Sequence, residues 1–405
     1  MLKDILDAAL LSSDYCADLL SVPRERFAEW VEGKTIPKFI LPEITSILGI
    51  SERDLSSKPR SGYVAEGVLA PAVWYKLRDT KLSRTDREMV GLIRKLGFYM
   101  GQLDKVRGTG LPQYPTLFAE IRKRGDTAAS PAVQGQLAAE AFRAISGLSK
   151  GQRGIGEVIR SYLRVSGLLL VESPLPESTI EGCTFKVDVR GDTRACLFAN
   201  SYTSTWFRRN AVLAHELCHA IFDVETEQVS IDYLDEENNA LNEQRAQAFA
   251  QDFLVPRSVL AHYTSQMGID WSSLSATTLA KLIAEIHVEQ RMLLNAAFGA
   301  GLITADQVEA YRALDCSDAL RSVSEHALST PEYLSQPGNE SAKWIAENRT
   351  AKVGARRLLL PVGYVKQVLE AVTCEEISIG KAAEMLMTDE QTFLQRFGDL
   401  VPQAA

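Results

Sequence analysis

Several things are scarce or missing in this chain of 405 residues. No apolar run approaches the roughly 18 residues that a membrane-spanning helix needs. The start, MLKDILDAALLSSD, is acidic and amphipathic and has no uninterrupted apolar stretch of the secretory kind. The six cysteines lie far apart with no CxxC pair, which argues against a disulfide framework and fits reduced thiols in a cytoplasm. Positive charge is not in excess: the net charge of −8 argues against a broad nucleic-acid-binding surface, though not against one small DNA-reading module. There is no repeat of fixed period and no low-complexity tract. Histidine is rare, with five in the whole chain.

What is present is ordinary globular material. Hydrophobic residues make up 46% and charged residues 24%, enough apolar matter for more than one core. Residues 1–58 read as short helices around a turn near Ser21-Val22-Pro23, with Ala17, Leu19, Leu20, Val22, Phe27, Trp30 and Val31 as contacts. Gly33 ends the second helix and Pro37 blocks its continuation. Residues 59–130 read as a helical linker region, beginning with the Pro- and Gly-containing PRSGYVAEGVLA. Residues 131–300 change character. SGLLLVE (166–172), TFKVDV (184–189) and RACLFAN (194–200) read as strands. Helical periodicity returns at Arg208–Phe222, and again in ALNEQRAQAFAQDFLVP, which Pro256 stops. Residues 301–405 read as a C-terminal helical domain. Met385 and Met387 there are expected to pack, and ISIGKAAEMLMTDEQTFLQRFG has the rhythm of a second helix-turn-helix. The expected fold is mainly α, with a small α+β domain in the middle and an N-terminal helix-turn-helix.

Two of the five histidines fall in NAVLAHELCHAIFD, residues 210–223. Residues i and i+4 of a helix share a face, about 5–6 Å apart at Cβ, so His215 and His219 can address one ion. Glu216 lies a quarter-turn round, placed to reach a water rather than the metal. A catalytic zinc needs a third protein ligand and one open position. Phe222 and Glu225 stand where a metzincin would have Gly and His, which excludes that pattern. Glu243, on the following helix 24 residues after His219, fits the arrangement of thermolysin-like enzymes. Gln247, one turn beyond Glu243, is expected to hold a ligand imidazole in the right tautomer. The bland alternative is a pair of partly buried histidines and one more surface carboxylate.

FRRNAVLAHELCH followed by EQRAQAFAQDFLVP resembles the ImmA/IrrE-type metallopeptidase family, over roughly residues 135–300, which implies that the small α+β domain is a zincin-like (HExxH) metallopeptidase domain. The family usually has Gly at the position of Cys218 and Asn at that of Gln247, and neither departure removes a ligand. The N-terminal segment, with its W-x-x-G-x-x-x-P ending, resembles an XRE-type helix-turn-helix. That resemblance implies that Arg24 and Arg26 approach DNA, that Lys34 and Lys38 approach phosphates, and that the chain works as a homodimer. Residues 1–58 nevertheless carry seven Lys/Arg against ten Asp/Glu.

The expectation is one Zn²⁺ per chain, held by His215, His219 and Glu243, with Glu216 as general base. The resemblance implies a protein substrate, a repressor-like DNA-binding protein or the chain itself, cut in a stress, phage or defence response. The alternative is a transcriptional regulator whose peptidase-like domain senses without turnover. Three finer expectations complete the reading. The strand ending at Asn200 is an edge to which a peptide adds. Tyr202, Tyr233 or His262 stabilises the oxyanion. Cys183 either closes the open zinc position as a thiolate and leaves on oxidation, or is a small buried hydrophobe.

Overall fold

The computed structural model describes residues 2–8, 12–48, 55, 84–108, 113–125, 128, 130–148, 151, 157–173, 175, 178–189, 192–200, 206–223, 230–233, 240–323, 350–353 and 356–400. The linker candidate at 59–70, and Trp74, Leu77 and Leu82, lie outside these residues. The chain is mainly helical. Four helices open it: α1 (Leu2–Ala8), α2 (Ser13–Leu19), α3 (Arg24–Val31) and α4 (Leu41–Leu48). Then come α5 (Arg84–Val106), α6 (Tyr114–Gly125), α7 (Pro131–Ile145) and α8 (Glu157–Val165). Three strands follow, β1 (Leu169–Ser173), β2 (Ile180–Val189) and β3 (Asp192–Asn200). After them come α9 (Trp206–Phe222), β4 (Ser230–Tyr233) and α10 (Leu241–Leu254). Helices α11 (Arg257–Met267) to α15 (Ser317–Val323) run in series, with α12 spanning Ala276–Ile286, α13 Gln290–Gly299 and α14 Ala305–Arg312. A hairpin, β5 (Thr350–Val353) and β6 (Arg356–Leu359), precedes α16 (Val362–Thr373), α17 (Ile379–Met385) and α18 (Glu390–Phe397). No helix among the described residues is long and apolar enough to cross a membrane.

The main sheet has the order β1-β3-β2-β4, with β1 parallel to β3 and the other pairs antiparallel. The strand ending at Asn200 is therefore interior, between β1 and β2, and is not an edge. Its asparagine pins the β1–β2 connection instead: Asn200 Nδ2 donates to the carbonyls of Leu175 and Ile180, and Oδ1 accepts from Leu175 N–H. The acidic stretch after His219 contributes β4, and the C-terminal region contains the β5–β6 hairpin where unbroken helix was expected.

Two cores lie on opposite faces of this sheet. One face carries Leu169, Val171, Cys183, Phe185, Val187, Val189, Cys196 and Phe198. These pack with α5, with the N-terminal helices through Phe27 and Ile44, and with the C-terminal helices through Val365 and Phe393. The other face carries Leu170, Ala195, Leu197 and Ala199 beneath α9 and the helices from α6 to α14. A β-bulge at Glu181 interrupts the pairing of β2 with β4. An extra residue in one strand shifts its side-chain alternation. Ile180, Cys183 and Phe185 consequently share the first face, while Gly182 and Thr184 turn toward α9.

The two ends of the chain repeat one local geometry. In each, a seven-residue helix is followed by four turn residues and an eight-residue helix. Ser12 and Ser378 cap the first helix by accepting a backbone N–H. The turns hold Ser21 and Met387 at φ 53° and 52°, and the amides of Val22 and Thr388 reach back to Ala17 and Ala383. Phe27 and Phe393, each fourth in its second helix, are fully buried, as is Met385, and Met387 is buried beside them. Gly33 follows the first pair at φ 103°, a conformation glycine adopts without strain.

Candidate metal centre

Helix α9 is buried on nearly every side, which suits its position between the sheet and α10. Val212, Leu213, Leu217 and Ile221 pack into the second core, and Cys218 is fully buried there. Burial pushes the Cys218 thiol far up, against the opposing pull of Arg245, so it stays a neutral core residue. The last turn of α9 leaves carbonyls without helical partners. Arg122 of α6 donates to that of Ile221.

Helix α10 is set by its contact with α7. Gly135 of α7 lies so close to α10 that an added Cβ would stand 2.2 Å from the Arg245 carbonyl oxygen. The rings of Phe142, Phe249 and Phe253 meet at centroid distances of 5.4–6.4 Å. Arg143 donates to the Phe253 carbonyl at 2.7 Å and closes the C-terminal end of α10. This bracing turns the first turn of α10, with Glu243, toward α9.

Three donor atoms converge there. His215 Nε2 lies 3.0 Å from His219 Nε2 and 3.1 Å from Glu243 Oε2, and His219 Nε2 is 3.6 Å from Glu243 Oε2. Ligands around a tetrahedral zinc at its usual bond lengths sit about 3.3 Å from one another. The donor set also fits a cation chemically. Asp223 Oδ2 lies 2.7 Å from His219 Nδ1. A carboxylate only accepts, so the proton of neutral His219 sits on Nδ1 and leaves a lone pair on Nε2. That lone pair faces a carboxylate oxygen and a second imidazole nitrogen, an arrangement a shared cation reconciles. His219 and Glu243 are buried, while His215 is 15% exposed and marks the open side.

Glu216 is fully buried beside the donors. Thr184 Oγ1 lies 2.5 Å from Glu216 Oε2 and 3.0 Å from the Glu216 carbonyl oxygen. A Cβ at Gly182 would stand 2.5 Å from Glu216 Oε1 and 2.7 Å from Val212 Cγ1, so β2 passes as close to the carboxylate as a side-chain-free residue allows.

Residues 163–284 match the model of peptidase family M78, described as the IrrE N-terminal-like domain. This M78-like segment runs from the end of α8 into α12 and carries HELCH and Glu243, and the match points to a metallopeptidase. No curated protein and no solved structure matches the chain.

Other expected residues are placed differently. Gln247 is exposed on the outer flank of α10, and it is Asp223 that lies against the His219 ring. Cys183 is fully buried in the core on the opposite face of the sheet, with strand β2 itself between its thiol and the histidines. Its surroundings are those of a packed apolar side chain, apart from the three donors. Asp223 was the residue missed, although HELCHAIFD shows it one turn beyond His219. Tyr202 lies outside the described residues, Tyr233 ends β4, and His262 is exposed on α11, edge-on to Tyr263. In the N-terminal unit, Arg24 is held by Asp18 at 2.7 Å and by Asp14 at 3.6 Å. Lys34 is held by Glu29 at 2.7 Å, while Arg26 and Lys38 are exposed.

Proposed function

We propose that the chain is a zinc-dependent endopeptidase in which His215, His219 and Glu243 hold one Zn²⁺ and Glu216 is the general base. The observation that carries this reading is the triangle of donor atoms from two helices, with a buried glutamate beside it. The M78 match supports it. Zinc, when bound, supplies Lewis acidity and makes a neighbouring water easier to deprotonate. Glu216, fixed by Thr184 and by the backbone at Gly182, takes the proton from the attacking water and delivers it to the departing amine nitrogen. Burial of Glu216 keeps bulk water from competing for that proton. The extended substrate pairs along β4, the strand that ends the sheet order next to β2, in place of the interior β3. The substrate class is a folded protein with an accessible extended segment, a repressor-like DNA-binding protein or a second copy of this chain.

The N-terminal unit is proposed as an XRE-type helix-turn-helix that brings a homodimer to DNA, with the N-terminal end of α3 toward the major groove. A second reading has the M78-like domain sensing without turnover. The core shared by α3, α5 and the back of the sheet favours it, because it couples the N-terminal helices mechanically to β2.

The variant Glu216→Gln separates the readings. Zinc content should be unchanged, and cleavage of the repressor-like substrate or of the chain itself should stop. A variant that regulates normally without cleavage overturns the enzymatic reading in favour of the sensor. Salt-dependent gel shifts on the chain's own upstream region test the DNA module.

A further inference from the structure

Arg245 lies on α10, two residues after Glu243, and has no place in the mechanism above. Its Nη2 donates to Asp223 Oδ1 at 2.6 Å, while the other oxygen of the same carboxylate faces His219 Nδ1 at 2.7 Å. Arg245 Nη1 donates to Gln134 Oε1 of α7 at 3.2 Å, and its guanidinium stands 4.5 Å from the centre of the Phe222 ring. Asp223 is itself held at the end of α9, its amide donating to the His219 carbonyl at 2.8 Å. One unbroken series therefore runs from a ligand imidazole through Asp223 and Arg245 to α7, crossing from the helix with the two histidines to the helix with the glutamate.

We propose that Asp223 and Arg245 are the positioning pair of the metal centre. Asp223 holds the proton of His219 on Nδ1 and turns Nε2 to the ion. Arg245 holds Asp223 and, because it shares a helix with Glu243, ties the glutamate ligand to the histidine ligands. Neither residue touches the metal. Carboxylate partners of ligating histidines fix ring orientation and raise ligand basicity, and their loss costs about 10–100-fold in metal affinity. This inference rests on the zinc reading above.

The test uses the full chain and zinc alone, titrated against a chromophoric chelator, with Co²⁺ absorption as a second readout of coordination geometry. Wild type should bind one ion. Asp223→Ala should weaken zinc by about 10–100-fold, and Arg245→Gln by on the order of ten-fold. Asp223→Asn, which keeps the hydrogen bond and loses the charge, should fall between wild type and Asp223→Ala. The double variant Asp223→Ala/Arg245→Gln should bind no more weakly than Asp223→Ala alone, since the two act as one unit. Arg245→Lys, a cation without the fork, should restore part of the affinity lost in Arg245→Gln. The Co²⁺ bands of Asp223→Ala should shift, a change that lowered fold stability alone does not produce. Equal zinc affinity in wild type and Asp223→Ala, or additive losses in the double variant, overturns the pair. Wild type that binds no zinc overturns the metal centre itself, a separate outcome.

Discussion

Strand β2 shows in adjacent residues how differently one backbone can be used. Toward α9 it presents Gly182 and Thr184, a missing side chain and a hydroxyl, both against Glu216. Away from α9 it presents Cys183, Phe185 and Val187, all fully buried in a core shared with α5 and the two chain ends. The first face tolerates little because position decides chemistry. The second tolerates volume-conserving change because burial is what it supplies. The difference teaches that burial alone does not mark a site: all five residues are buried, and only Gly182 and Thr184 stand against a charged group.

Substitutions on the two faces should separate cleanly. Glu216→Gln should give the largest effect, a loss of cleavage of about 10²–10⁴-fold with full zinc content, measured by metal analysis and fragment mass spectrometry. Phe185→Ala should act on the other quantity, lowering unfolding free energy by about 3–5 kcal/mol in denaturant titration. The protein that remains folded should still bind zinc with wild-type stoichiometry. Gly182→Val should push into Glu216 and Val212, cutting turnover by about 100-fold while zinc content is kept. A fully active Gly182→Val would break the contrast between the faces. Cys183→Ser should have the smallest effect: about 1–3 kcal/mol of stability for a buried hydroxyl, and no change in metal affinity or in sensitivity of cleavage to oxidant.

The chemistry was more legible than the architecture. His215, Glu216 and His219 are local in sequence, so helical geometry brings them together without knowledge of the fold. Glu243 was accessible as a carboxylate on the next helix. Gln247 failed because the buried stripe of α10 follows steps of three, through Glu243, Ala246 and Phe249, and leaves position 247 on the outer flank. Cys183 failed for another reason. It shares the parity of Phe185, Val187 and Val189, which lie on the sheet face away from α9, and which face turns toward the histidine helix is not a local property. The interior position of β3 is set by which strands cross over, a nonlocal property. Strand β4 sits in an acidic stretch, and β5–β6 contains charged TAKV and RRLL, so neither reads as apolar strand.

The tight crossing at Gly135 has a practical corollary. Helix α10, which carries the glutamate of the triangle, leans on α7, and α7 lies upstream of every strand. A fragment started at β1 would keep all three donors and lose the buttress that aims one of them. Minimal truncations of this protein should thus retain the helix beginning at Pro131, or they will report on a loosened hinge instead of on the native centre.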